Sequence, residues 1–81
     1  MTRSSRLYRP RPVAVEASED GVPAAVGGAQ VDAVREEWLV EDRWWTERPI
    51  QRRYFELVTA GGRDTVVFCD LERGRWYAQR A

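Results

Sequence analysis

The chain reads as an all-β protein, a small antiparallel meander or SH3-like barrel of about six short strands behind a basic N-terminal arm. Three observations lead there. Apolar and polar residues alternate over much of the sequence with the two-residue period of a strand. Glycine-bearing turn signals separate those runs, at Asp20-Gly21, Gly27-Gly28, Gly61-Gly62 and Glu72-Arg73-Gly74. The runs themselves are rich in β-branched and aromatic side chains, which fit a pleated, half-buried surface.

The first ten residues, MTRSSRLYRP, have no hydrophobic stretch of their own and are expected to be a frayed, basic arm, with the folded domain spanning 11–81. Pro10 and Pro12 favour extended backbone. From Val13 the pattern alternates, with Val13, Val15 and Ala17 on one face and Ala14 and Glu16 on the other. Val22, Ala24 and Val26 resume it after Asp20-Gly21, so this is the first hairpin. Pro23 cannot donate to a ladder and belongs at an edge or a bulge.

Residues 30–39 are ambiguous. Val31, Val34 and Trp38 follow helical spacing, while Val34, Trp38 and Val40 fit one strand face with Glu36 intruding. The β-branched residues and flanking glycines favour a strand. Pro49 ends any regular element that runs through Trp44-Trp45.

The last third is clearer. In IQRRYFELVT, Phe55 and Leu57 alternate against Tyr54, Glu56 and Val58, and AGGR closes a hairpin. DTVVFCDL is apolar on both faces, with Val67, Cys69 and Leu71 against Val66 and Phe68, which suits a strand lying centrally in a barrel or beneath a partner. ERGR turns the chain into a short final strand, RWYAQR.

Composition narrows the function. A chain of 81 residues buries only about 60–65% of its unfolded surface, so the core is small. It cannot readily spare four tryptophans for the surface. Thirteen basic residues, all arginine, balance thirteen acids, and a net charge of zero gives no global case for nucleic acid or membrane. The charge is uneven along the chain: the first fifteen residues hold four arginines and no acid, and residues 16–47 hold nine acids against Arg35 and Arg43. One cysteine forms no internal disulfide, and with no signal peptide in view the expected compartment is the cytoplasm.

No catalytic constellation emerges. Without histidine, and with Cys69 alone, the usual zinc sets, the serine triad and a Cys-His pair are all excluded. Without lysine there is neither a Schiff base nor a phosphate-loop lysine. The acid pairs Glu19-Asp20, Glu36-Glu37 and Glu41-Asp42 are adjacent, so on a strand their carboxylates diverge. Cys69 reads as a small buried hydrophobe. A non-enzyme with no cofactor and no metal is expected.

What remains is an aromatic–arginine constellation: Trp44, Trp45, Arg52, Arg53 and Tyr54, with Trp76 further along. Such a set can stack bases while arginines track phosphates, each stack being worth about 1–3 kcal/mol. It can equally line a core, and burying an aromatic side chain is worth more than a rim contact. Trp38 and Trp76 are expected to be largely buried, with Phe55 and Leu57 between them. Adjacent strand residues face opposite ways, so one of Trp44 and Trp45 is left for a surface.

The strings VREEWLVEDRWW, RRYFELV and DLERGRWYAQR resemble a small bacterial domain family of uncharacterised function. Similar sequence closes the C-terminal end of ImuB-type proteins, Y-family DNA polymerase relatives of the damage-induced mutasome, and also occurs as short free-standing proteins. The resemblance covers residues 10–81 and is strongest from Val34 to Arg80. It implies an error-prone repair or translesion-synthesis setting and a non-catalytic protein-interaction role. The partner is then a mutasome or polymerase component, with self-association a further possibility. The alternative is a weak single-stranded nucleic-acid binder using the same face and the arm from Arg3 to Arg11. Salt dependence separates the two.

Overall fold

A computed structural model describes residues 10–42 and 50–79. Among these residues seven strands form a single curled antiparallel sheet: β1 (Arg11–Pro12), β2 (Val15–Ala17), β3 (Pro23–Val26), β4 (Ala29–Asp42), β5 (Ile50–Thr59), β6 (Arg63–Asp70) and β7 (Arg75–Gln79), in the order β1-β7-β6-β5-β4-β3-β2. From β2 to β7 this is a meander, each strand pairing with the next, and β6 lies between β5 and β7.

The strand count differs from the expected six because the first strand is split. β1 pairs with β7 at one edge of the sheet while β2 pairs with β3 at the other. Between them, the Val13 amide donates to the Trp76 carbonyl at 3.1 Å and the Ala14 carbonyl accepts from Gly27 at 2.7 Å. One short segment thus ties the two edges together and curls the sheet into a half-barrel. Pro23 faces Ala17 where the β2–β3 register shifts, so its missing donor falls at an irregularity.

β4 is 14 residues long rather than short, and residues 30–39 are strand. Its register with β5 shifts twice, between Val31 and Ala33 and again between Val34 and Glu36. Each shift leaves one extra residue, Asp32 and then Arg35, and each bends the strand. The residues opposite the core-facing Thr59, Leu57 and Phe55 are therefore Val31, Val34 and Glu37, spaced by three. A doubly bulged strand imitates helical spacing, which is why this segment is ambiguous as sequence.

The same bulge corrects an expectation. Without it, Trp38 shares the core face of Val34; with Arg35 as the extra residue, the alternation flips and Trp38 lies opposite Tyr54 on the outer face. Trp38 is 38% exposed and is no part of the core. Trp76 does face inward, against Phe55 with ring centroids 5.8 Å apart, but it is half-buried rather than largely buried. The centre of the core is Phe55, Leu57, Val67 and Val26, with Val13, Val15, Val22, Val31 and Ala78 packed around them.

Candidate interaction surface

The outer face of the sheet carries one continuous feature. Trp38 of β4, Tyr54 of β5, Phe68 of β6 and Tyr77 of β7 are direct cross-strand neighbours, and Pro12 of β1 stands opposite Tyr77. Successive ring centroids are 5.3, 4.9 and 5.2 Å apart. Trp38 and Tyr54 are nearly parallel, with 9° between their planes. Such contacts contribute about 0.5–1.5 kcal/mol each beyond area burial, so this face is stiffened as well as apolar.

Two polar rows border the aromatic one. On one side lie Val40, Arg52, Asp70 and Arg75; on the other, Glu36, Glu56, Val66 and Gln79. The Arg52 guanidinium sits 4.7 Å from the centroid of Phe68. Phe68, flanked by Tyr54 and Tyr77 and covered by that guanidinium, is only 2% exposed despite facing away from the core. The Arg52 Nε is buried and has no hydrogen-bond partner among the described residues.

The expected constellation is divided by the sheet. Arg52 and Tyr54 share the outer face, whereas Arg53 points inward with Leu39, Cys69 and Trp76 in its row. There its Nε donates to Glu37 at 2.6 Å, its Nη1 donates to the Asp20 carbonyl at 2.9 Å, and its guanidinium lies 5.0 Å from the Phe55 centroid. Arg53 braces the β2–β3 turn against the sheet. Trp44 and Trp45 lie outside the described residues.

Trp38, Phe68 and Tyr77 were not singled out by the sequence as surface-forming residues, although a signal existed for one pair. Tyr54 and Phe68 are equidistant from Gly61 at the centre of their hairpin, so the turn alone sets them opposite each other. The register that brings in Trp38 depends on the bulges of β4.

Four exposed large apolar residues cluster on β4, where Val34, Trp38, Leu39 and Val40 are 41%, 38%, 56% and 36% exposed; Leu71, in the β6–β7 turn, is a further one. β3 pairs with β4 only at Ala29 and Gln30. Among the described residues, no strand pairs with that edge of β4 from Val31 onward.

Elsewhere the chemistry is sparse. An open hollow of about 550 Å³ is lined by Arg11, Glu56, Arg63, Asp64, Thr65 and Gln79 among others, and holds no nucleophile paired with a base. Among the described residues no three histidine, cysteine, aspartate or glutamate side chains gather as a metal site. Cys69 is half-buried on the core side; burial first, and then the Asp70 carboxylate, raise its thiol pKa, partly offset by Arg53. No helix among the described residues is long and apolar enough to cross a membrane. Comparison with protein-family models, with curated proteins and with solved structures found no match.

Proposed function

We propose that this chain is a non-catalytic protein-interaction module, acting in the cytoplasm, that docks onto a protein through the Trp38 end of its aromatic row. The observation that carries the reading is the position of Trp38. It ends a stacked ladder, keeps 38% of its surface in solvent, and stands on a strand whose second edge is unpaired among the described residues. Tryptophan and arginine are enriched at binding hot spots, and Trp38 has Arg52 in the adjoining row. An exposed aromatic with rigid neighbours loses little side-chain entropy on binding.

Ring orientation weighs against the nucleic-acid alternative. A base needs an open aromatic face to stack on. Tyr54 has Trp38 and Phe68 as ring neighbours, and Phe68 has Tyr54 and Tyr77, so their faces are already engaged. β4 itself carries Asp32, Glu36, Glu37, Glu41 and Asp42 against the single Arg35, which repels phosphate.

The error-prone repair setting in this proposal rests on the resemblance of residues 34–80, and it names the partner class: a polymerase-like mutasome protein. The test is association with such a protein, measured with the parent chain and with Trp38→Ala, alongside a titration with labelled single-stranded DNA at two salt concentrations. The reading requires association that falls with Trp38→Ala while the fold persists. Salt-sensitive DNA binding, unaffected by Trp38→Ala and without protein association, would replace it with the alternative.

A further inference from the structure

Resting on that reading, we infer that the edge of β4 from Glu36 to Asp42, unpaired among the described residues, accepts an extended, arginine- or lysine-bearing segment of the partner protein as an added antiparallel strand. Edge strands are usually defended by shortness, bulges or charge, because their unpaired amides and carbonyls invite another chain. In β4 the bulges come early, at Asp32 and Arg35. From Glu36 to Asp42 the pairing with β5 runs without a shift for seven residues, which exceeds the typical strand length of about 5–6. This regular stretch also presents Trp38, Leu39 and Val40 to solvent. A purely defended edge has no use for three exposed apolar side chains in succession.

Charge decides the occupant. The five acids of β4 face one arginine, and that arginine is engaged 3.2 Å from Asp64. Pairing two copies of β4 brings like-charged strands together, and like charges directly opposite each other destabilise a sheet. A basic segment meets the opposite situation.

Side-chain order follows from the pleat. An antiparallel newcomer passes Val40, Leu39, Trp38, Glu37 and Glu36 in turn. Its matching order is aliphatic, aliphatic, aromatic, basic, basic. The aromatic residue falls on the open side of Trp38 and adds a rung to the Trp38–Tyr54–Phe68–Tyr77 row. The first basic residue meets Glu37, whose carboxylate already binds Arg53, and the second meets Glu36. Main-chain hydrogen bonds supply affinity in this mode and the alternating side chains supply specificity.

The experiment uses the full chain and a labelled peptide, Thr-Val-Leu-Tyr-Arg-Arg-Thr. Two controls accompany it: the same peptide with glutamate for both arginines, and one with alternate backbone nitrogens methylated. Saturable binding is expected with slowed amide exchange over residues 36–42. Each control peptide, and each of Trp38→Ala and Glu36→Arg, is expected to bind about tenfold or more weakly, a loss of about 1.4 kcal/mol per decade. Equal binding of the methylated peptide reduces the contact to charge attraction and overturns the inference. So does a self-associated chain whose dimer the peptide does not disrupt, which makes a second copy the occupant. Binding that emerges only when residues 1–9 are removed assigns the edge to the chain's own arm, where Leu7, Tyr8 and Arg9 follow the same order. If a protein partner is lost with Trp38→Ala yet no basic peptide binds, the interaction module stands and strand addition falls.

Discussion

Arg53 and Glu37 form an ion pair at 2.6 Å on the inner side of the sheet, and the same guanidinium reaches the Asp20 carbonyl in the β2–β3 turn at 2.9 Å. Residues far apart in sequence are thereby joined at one end of the core, beside Phe55. Both side chains keep partial solvent contact, 28% and 41%, so the bond is screened. Arg53→Ala is expected to cost about 1–2 kcal/mol, between a surface pair and a fully buried charged hydrogen bond. Glu37→Gln, which leaves an acceptor in place, should cost less. Urea melts of the two variants and of the double variant measure the coupling; costs that simply add would show that the pair is not what holds the turn.

Gly21 offers a sharper test of the same brace. Its φ of +82° is strained for any side chain, and a Cβ there meets the Arg53 Nη1 at 2.8 Å. Gly28 has a similar φ of +87° with open space around it. Gly28→Ala should therefore pay only the backbone cost of about 1–2 kcal/mol, while Gly21→Ala should exceed it. In an Arg53→Ala background the excess should vanish. Thermal melts of the four proteins suffice.

The core and the ladder should respond very differently to truncation. Phe55 is fully buried between Trp76 and the guanidinium of Arg53, and Phe55→Ala is expected to cost about 3–5 kcal/mol. That is a large share of the roughly 4–12 kcal/mol expected for a chain of this length. Trp38→Ala loses a single outer-face stack with Tyr54 and should cost about 1 kcal/mol. Thermal melts of the two variants followed by circular dichroism should show the Phe55 variant melting well below the Trp38 variant.

Cys69 should react slowly with alkylating agents at neutral pH. Burial and the neighbouring Asp70 raise its pKa, which lowers the thiolate fraction, and the thiolate is the nucleophile. Asp70→Asn should speed alkylation by removing a negative charge; Arg53→Ala should slow it by removing a positive one, provided that the fold is kept. A rate that falls in the first variant would contradict this picture. Asp70 also caps the β6–β7 turn, its Oδ1 accepting from the amides of Glu72 and Arg73 at 3.0 and 3.3 Å, so stability must be monitored alongside.

The amino-acid sequence by itself determined that this chain is all-β, where its glycine turns fall, and that Phe55 and Leu57 belong inside. Those properties are local. Alternation, turn chemistry and β-branched content act over a few residues and need no partner to be read. The Tyr54–Phe68 pairing was also legible, because a short hairpin loop sets its own register. The side on which Trp38 stands was not. It depends on whether Arg35 is counted in the ladder or bulged out of it, and the register with β5, which sets Val34 opposite Leu57 and Glu36 opposite Glu56, bulges it out. A single extra residue reverses every side chain that follows, so β4 changes face without any mark in its composition. The separation of Arg52 from Arg53, one over Phe68 and the other bound to Glu37, follows from the pleat once that strand is placed. The edge of β4 that is unpaired among the described residues was likewise decided only in three dimensions, because β3 stops pairing with β4 after Gln30.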